Sequence, residues 1–245
     1  MIKIVATGTA HRFYQETLKL LEEKGFPFLI GGAYALKEHT GVFRDTKDLD
    51  ILCSAGECPR ILKFLSGKGI LTETTDARWL AKAFKNEHYI DFIFSSANNL
   101  SPVDDTWFAH KVPGSLYGVP VSFTAPEELI WSKIYVQNRE RYDGADVNHL
   151  ILKKGREMDW RRLMMHMEQH WQLLLAQLLN FQFVYPGERD NIPRWLFNEL
   201  LKRAGEQYDL PAPVDKICRG PLLENNEYNA DIIEWGYKIF SVTNL

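Results

Sequence analysis

The sequence predicts an α+β fold, a mixed sheet flanked by helices and followed by a helical C-terminal part, in a chain of 245 residues. Short stretches with strand alternation, among them Asp48–Leu52, Trp79–Phe84 and Tyr89–Phe94, are interleaved with helix-like stretches through the first half. An apolar run ending at Ile30 is broken by Gly31-Gly32 before a helical pattern begins. Beyond Asp146 the alternation gives way to apolar positions at helical spacing. Such a mixture points to helices packed on a sheet, not to an all-helical or all-β domain. The division expected is a core over residues 1–124 and a helical part over residues 125–245.

Composition narrows the class. With 45% hydrophobic and 25% charged residues, the chain can bury a sizeable core, and disorder is not expected. A net charge of -3 gives no general pull towards nucleic acid. Cys53, Cys58 and Cys218 are too few for a disulfide framework and lack paired zinc-site spacing, so reduced thiols are expected. The apolar stretch in Met1–Ala6 is too short for a signal peptide, and no run approaches the roughly 18–20 residues of a membrane span. A cytoplasmic protein with no membrane partner is therefore expected.

Taken in order, Thr9 to Lys24 carries Phe13, Leu18, Leu20 and Leu21 among charged residues and stops at Gly25, the pattern of an amphipathic helix. Leu29 and Ile30 close a short buried strand, and Ala33 to Glu38 forms the first turns of a helix. Asp48–Leu52 is a strand, Cys58–Leu65 a helix ending near Gly67 or Gly69, and Ile70–Thr75, Trp79–Phe84 and Tyr89–Phe94 are successive strands. Residues 95–124 read as loop with a hairpin from Gly114 to Phe123, turning at Tyr117-Gly118. Thr124, Pro126, Glu127 and Glu128 start a helix that runs to just before Arg139. Val147–Lys153, Asp159–Met167, Trp171–Phe181 and Ile192–Ala204 read as further helices. Trp160, Trp171, Phe181, Phe183, Trp195 and Phe197 are expected in their core. His110 reads as solvated, and His166 with His170 lacks the glutamate placement of a zinc protease.

Chemistry concentrates in the first half. Gly31 and Gly32 let the backbone come close to a ligand, and the following helix would turn free N–H groups and a positive dipole end towards it, a setting for an anion. Alternation in Asp48-Leu49-Asp50-Ile51-Leu52 puts Asp48 and Asp50 on one face. Two like charges held so close call for a hard divalent cation with oxygen ligands, Mg²⁺ leaving positions open for phosphates. Asp91 interrupts the apolar strand Tyr89–Phe94 and would complete a set of three carboxylates if that strand lay beside the first, enough for two cations and in-line attack on phosphorus.

The order strand, Gly-Gly, helix, Arg44-x-Thr46-x-Asp48-x-Asp50, then a strand bearing Asp91 resembles the DNA polymerase beta-like nucleotidyltransferase superfamily. The form Gly31-Gly32-Ala33-x-Ala35-Leu36 looks most like its AbiEii-type, toxin-like branch, and Lys133 followed by Asp143 and Asp146 resembles the second half of that branch's signature. The resemblance implies transfer of a nucleoside monophosphate from a nucleoside triphosphate such as ATP to an acceptor, with Mg²⁺ or Mn²⁺. In it Asp48, Asp50 and Asp91 hold the metals, Asp91 helps deprotonate the acceptor, and Asp146 has a polar catalytic role. Gly31, Gly32, Arg44, Thr46 and Lys133 bind the nucleotide. The branch implies a transfer-RNA or other RNA end as acceptor and an antitoxin protein as partner. The antibiotic-modifying branch implies a small hydroxyl or amine compound instead, and a non-catalytic binding or regulatory protein that kept the fold is a third reading. Without the resemblance, Lys133 reads as an exposed helix lysine and Asp146 as a local partner of Arg141. Residues 133–162 carry a modest excess of Lys and Arg, consistent with an RNA end nearby.

Overall fold

The computed structural model describes residues 8–42, 46–224 and 226–239. The chain divides into two compact units, Met1–Leu129 and Ile130–Leu245. In the first, α1 (Gly8–Lys24) is followed by β1 (Leu29–Ile30), α2 (Gly32–Thr40), β2 (Asp48–Leu52) and α3 (Cys58–Gly67). Next come β3 (Leu71–Asp76), β4 (Leu80–Lys85), β5 (His88–Ile93), α4 (Asp105–Ala109), β6 (Val112–Leu116), β7 (Val119–Phe123) and α5 (Pro126–Lys133), the helix within which the units divide. The strands form one mixed seven-stranded sheet in the order β3-β4-β5-β2-β1-β7-β6. The pairs β2/β5 and β1/β7 are parallel and the others antiparallel. The fold class read from the sequence is the one observed.

Alternation decides the two faces of the sheet. Leu49 and Ile51 on β2, Ile90 and Phe92 on β5, and Ala81 and Ala83 on β4 share one face and are fully buried. Asp48, Asp50, Tyr89, Asp91 and Lys82 share the other, where exposure is intermediate. Helix α1 packs against β5 and β7, and α3 against β3 and β4. Gly25, at φ +74, ends α1 in the left-handed region as its sequence position anticipates. Tyr117 and Gly118, at φ +55 and +76, make the tight turn between β6 and β7, where both central residues must be left-handed.

Two elements depart from the sequence reading. Helix α4 lies within residues read as loop; it is started by Asp104, whose carboxylate accepts from the Thr106 N–H at 2.9 Å. Helix α5 ends at Lys133, short of Arg139, because the backbone turns to meet a later segment: the Asp143 N–H donates to the Val136 carbonyl at 3.1 Å, and Gln137 pairs with Tyr142.

In the second unit α6 (Gly144–Lys154), α7 (Trp160–His166), α8 (Trp171–Val184) and α9 (Arg194–Asp209) are followed by a parallel pair, β8 (Ile217–Cys218) and β9 (Lys238–Ile239), with α10 (Asn229–Ile233) between them. Leu150, Leu163, Leu174, Leu178, Phe181, Leu196 and Leu200 form its apolar core. A buried amide ladder ties α6 to α8: Gln177 Nε2 donates to Asn148 Oδ1 at 2.7 Å, and Asn148 Nδ2 to Asn180 Oδ1 at 2.8 Å. The expectation that the large aromatics are core is met at Trp160 and Phe181, half met at the partly exposed Trp171 and Phe197, and fails at Phe183 and Trp195. Trp160 and Phe181 are buried, but Phe183 is 85% exposed and Trp195 42%, because each sits on the outward side of its helix. No helix among the described residues is long and apolar enough to cross a membrane.

Candidate active site

The parallel pairing of β2 with β5 brings the carboxylates of the first unit onto one face. Asp50 and Asp91 are direct register partners, and Asp48 stands opposite Tyr89. Neighbouring strands lie about 4.8 Å apart, so Asp50 and Asp91 leave the sheet side by side, with Asp48 two positions along. Thr46 Oγ1 donates to Asp48 Oδ1 at 2.5 Å and fixes that side chain at the head of β2.

The Gly-Gly pair is explained by β2. The Gly31 N–H donates to the Asp50 carbonyl at 3.0 Å, so the turn before α2 runs along that strand. A Cβ at Gly31 would come within 2.5 Å of Leu52 Cδ1, and one at Gly32 within 2.6 Å of Asp50 Cγ. Gly32 also sits at φ +51, which L side chains rarely adopt. The glycines thus admit the side chains of β2, and the Asp50 carboxylate rests against the first turn of α2, where N–H groups and the helix dipole favour negative charge.

Asp91 is engaged by a residue the sequence reading passed over. Lys82 on β4 is its register partner, and Lys82 Nζ donates to Asp91 Oδ1 at 2.6 Å. Burial pushes the Asp91 carboxyl above its ordinary range, Lys82 draws it back and the charge of Asp48 raises it further; the net direction is up. The signal was there to be read: Lys82 is a lone cation in the apolar alternation Leu80-Ala81-Lys82-Ala83-Phe84, as Asp91 is a lone acid in its own strand.

Aromatic side chains stand beside Asp48. Tyr14 on α1 donates its hydroxyl to the Lys47 carbonyl at 3.2 Å. Tyr34 on α2 and Tyr117 at the hairpin turn share a 2.6 Å hydroxyl contact, and the His11 and Tyr117 rings lie 4.1 Å apart. Burial raises the pKa of Tyr14 and of Tyr34, and the Asp48 charge adds to both.

Arg44 lies outside the described residues. Lys133 belongs to the helix at which the units divide and is only 6% exposed, not the exposed helix lysine of the simplest reading. Its ammonium donates to Asp143 Oδ2 at 2.7 Å and Asp146 Oδ2 at 2.8 Å, so Lys133 and Asp146 do come together. Arg141 pairs with Asp143 at 2.8 Å, so Asp143 faces two cations, Lys133 and Arg141. The basic excess over residues 133–162 is partly spent internally: Lys133, Arg141 and Lys154 have acidic partners within that stretch, and Arg139 pairs with Glu227 at 3.0 Å.

Among the described residues no group of three or more His, Cys, Asp and Glu side chains stands in a metal-holding arrangement. The donor chemistry of the β2/β5 face nevertheless suits a hard divalent cation: three carboxylates project from adjacent register positions on one side of a sheet, and Gly32 leaves room for one of them.

No protein-family model matches the chain, and no curated protein matches it. Among solved structures it is similar to the antibiotic-resistance factor ANT(2'')-Ia, with 15% identity over 82% of this chain and 95% of that one at a TM-score of 0.44. It is also similar to the lincosamide antibiotic adenylyltransferase LnuA in its lincomycin-bound form, with 17% identity over 59% and 96% of the two chains and a TM-score of 0.41. A third is JHP933 from Helicobacter pylori, with 11% identity over 84% and 98% and a TM-score of 0.41. At these identities and scores the likeness transfers neither an activity nor a residue's role to this chain.

Proposed function

We propose that the protein is a divalent-metal-dependent nucleotidyltransferase that moves a nucleoside monophosphate from a nucleoside triphosphate to an acceptor. The observation that carries the reading is the single sheet face shared by Asp48, Asp50 and Asp91, with the Asp50 carboxylate seated against Gly32. Asp48, Asp50 and Asp91 would hold Mg²⁺ or Mn²⁺, which when bound supplies charge neutralisation on the phosphate oxygens.

The residues of this chain supply the rest. An acceptor oxygen bonds to the α-phosphorus as the bond from that phosphorus to the bridging oxygen of the β-phosphate breaks, and pyrophosphate leaves. By the resemblance, the acceptor proton passes to Asp91. Thr46 orients Asp48 through its hydroxyl. The first turn of α2 would offer backbone N–H groups beyond Gly31 to phosphate, and Gly31, Gly32, Arg44 and Lys133 are nucleotide contacts by resemblance. Asp146 holds Lys133. Positioning and neutralisation carry most of the burden of such a reaction, so no nucleophilic side chain is needed.

The acceptor proposed for the first trial is an RNA end, transfer RNA included, although the internal pairing of Lys133, Arg139, Arg141 and Lys154 removes part of the sequence argument for it. The deciding experiment incubates the protein with each α-labelled nucleoside triphosphate and Mg²⁺, once with total RNA and once with a panel of hydroxylated small molecules including aminoglycosides and lincosamides. Label on RNA supports the proposed acceptor, and label on a small molecule replaces it. No transfer to any acceptor by the wild-type protein, with Asp50→Asn indistinguishable from it, would end the enzymatic reading and leave a binding or regulatory protein.

A further inference from the structure

Lys82 has no part in the mechanism above, yet it is the charged partner of the third carboxylate. Its Nζ stands 2.6 Å from Asp91 Oδ1, and the two side chains are 20% and 13% exposed, so the pair is shielded from most of the solvent that weakens surface ion pairs. The register makes this contact structural: Lys82 and Asp91 are opposed on antiparallel strands and must leave the sheet on the same face. A cation at Asp91 and a divalent metal at Asp91 compete for one negative charge. The same ammonium also lies over the Tyr89 ring, with Nζ 4.2 Å from its centre, two positions before Asp91 on β5, so it keeps one favourable contact if the Asp91 contact is lost.

We propose that Lys82 is a resident counter-ion of the candidate site, a positioning residue that neutralises Asp91 until a divalent cation displaces it, its ammonium then retained by the Tyr89 ring. This rests on the nucleotidyltransferase reading. The device keeps a half-buried carboxylate paired in the metal-free protein, and it weakens metal binding at the third ligand, so that the site fills fully only when metal is offered together with nucleotide. Tyr89 is part of the device, because an ammonium driven from Asp91 into an apolar setting would otherwise oppose the displacement.

The test measures Mn²⁺ binding to the full-length protein by the paramagnetic resonance signal of free Mn²⁺, without nucleotide and without turnover. The variants are Lys82→Met, Lys82→Arg, Lys82→Met with Asp91→Asn, and Lys85→Met. Lys85 lies on the same strand but pairs with Glu16 at 2.7 Å and has no place in the site, so it controls for the loss of one positive charge. Lys82→Met should bind Mn²⁺ about tenfold more tightly than wild type, the scale of losing one competing half-buried ion pair. Lys82→Arg and Lys85→Met should stay near wild type, and the gain should vanish when Asp91→Asn is added. Equal affinity in wild type and Lys82→Met, or an equal gain in Lys85→Met, overturns the counter-ion role while leaving the enzymatic reading intact. Absence of Mn²⁺ binding in both wild type and Lys82→Met overturns both. Lys82→Gln, which removes the charge but keeps a polar side chain on the strand, gives the same comparison if the methionine variant fails to fold.

Discussion

The Asp50 carboxylate lies against the backbone of Gly32, at a separation where even a methyl group on that glycine would come within 2.6 Å of Asp50 Cγ. Strand β2 and helix α2 therefore meet through one residue that must be bare and one that carries charge. Gly32→Ala has to move Asp50, and it must also place an L side chain at φ +51. A loss of about 1–3 kcal/mol in urea unfolding is expected. Gly56→Ala, where a Cβ meets nothing within 4 Å and φ is not in the left-handed region, should be close to neutral. Equal costs for the two would show that the Asp50 contact does not constrain Gly32.

Asp50→Asn keeps the shape of the side chain and removes its charge. Nucleotide transfer should fall by about 10²-fold or more, since the lost charge is one that would hold the divalent cation. The fold should survive, because the like-charge repulsion of Asp48 and Asp50 is relieved in the metal-free protein. Transfer rates and unfolding midpoints, measured on the same preparation, separate the two effects; wild-type transfer by a folded Asp50→Asn protein would falsify the assignment of Asp50.

What the sequence made legible was local. The period of two in Asp48–Leu52 decided which residues share a face, and Tyr117-Gly118 announced its turn through the need for left-handed backbone. Both depend on neighbours along the chain. The Lys82–Asp91 pair depends on β4 and β5 being antiparallel in one register, and a slip of one residue would have put Lys82 on the other face. The end of α5 was misplaced for a similar reason: Ile134 and Val136 continue an apolar helical pattern, but the Val136 carbonyl is claimed by Asp143. The glycines were read as letting the backbone approach a ligand, and they also leave room for Leu52 and Asp50, a demand that only the course of β2 could reveal.

Lys133 is expected to matter for stability as well as for any nucleotide contact. Lys133→Met leaves Asp143 and Asp146 without their shared ammonium in a setting where both are about 4% exposed. Removing one partner of a buried pair costs about 3–5 kcal/mol, so the variant should unfold at markedly lower urea than wild type. Lys153→Met, on an exposed position of α6, should change the midpoint little. Unfolding must accordingly be measured before any loss of nucleotide binding in a Lys133 variant is assigned to the site.

The same cluster gives the second unit a definite acid sensitivity. Burial alone would raise the Asp143 carboxyl, but hydrogen bonds from Arg141 and Lys133 and their positive charges outweigh it, so its pKa lies below the ordinary value of 3.8. A group depressed in the folded state binds protons more readily when unfolded. Its contribution is therefore complete above the unfolded value, begins to decline as the pH falls through 3.8, and is gone below the folded one. Stability followed by urea unfolding between about pH 6 and pH 2.5 should decline over the acid end of that range. Asp143→Asn carries no proton to bind, so its curve should start lower at pH 6 and flatten relative to wild type below pH 4, the two approaching one another as wild-type Asp143 is protonated. Parallel curves separated by a constant amount would mean that Asp143 titrates alike in the folded and unfolded chains, and that the Lys133 and Arg141 contacts do not hold it charged.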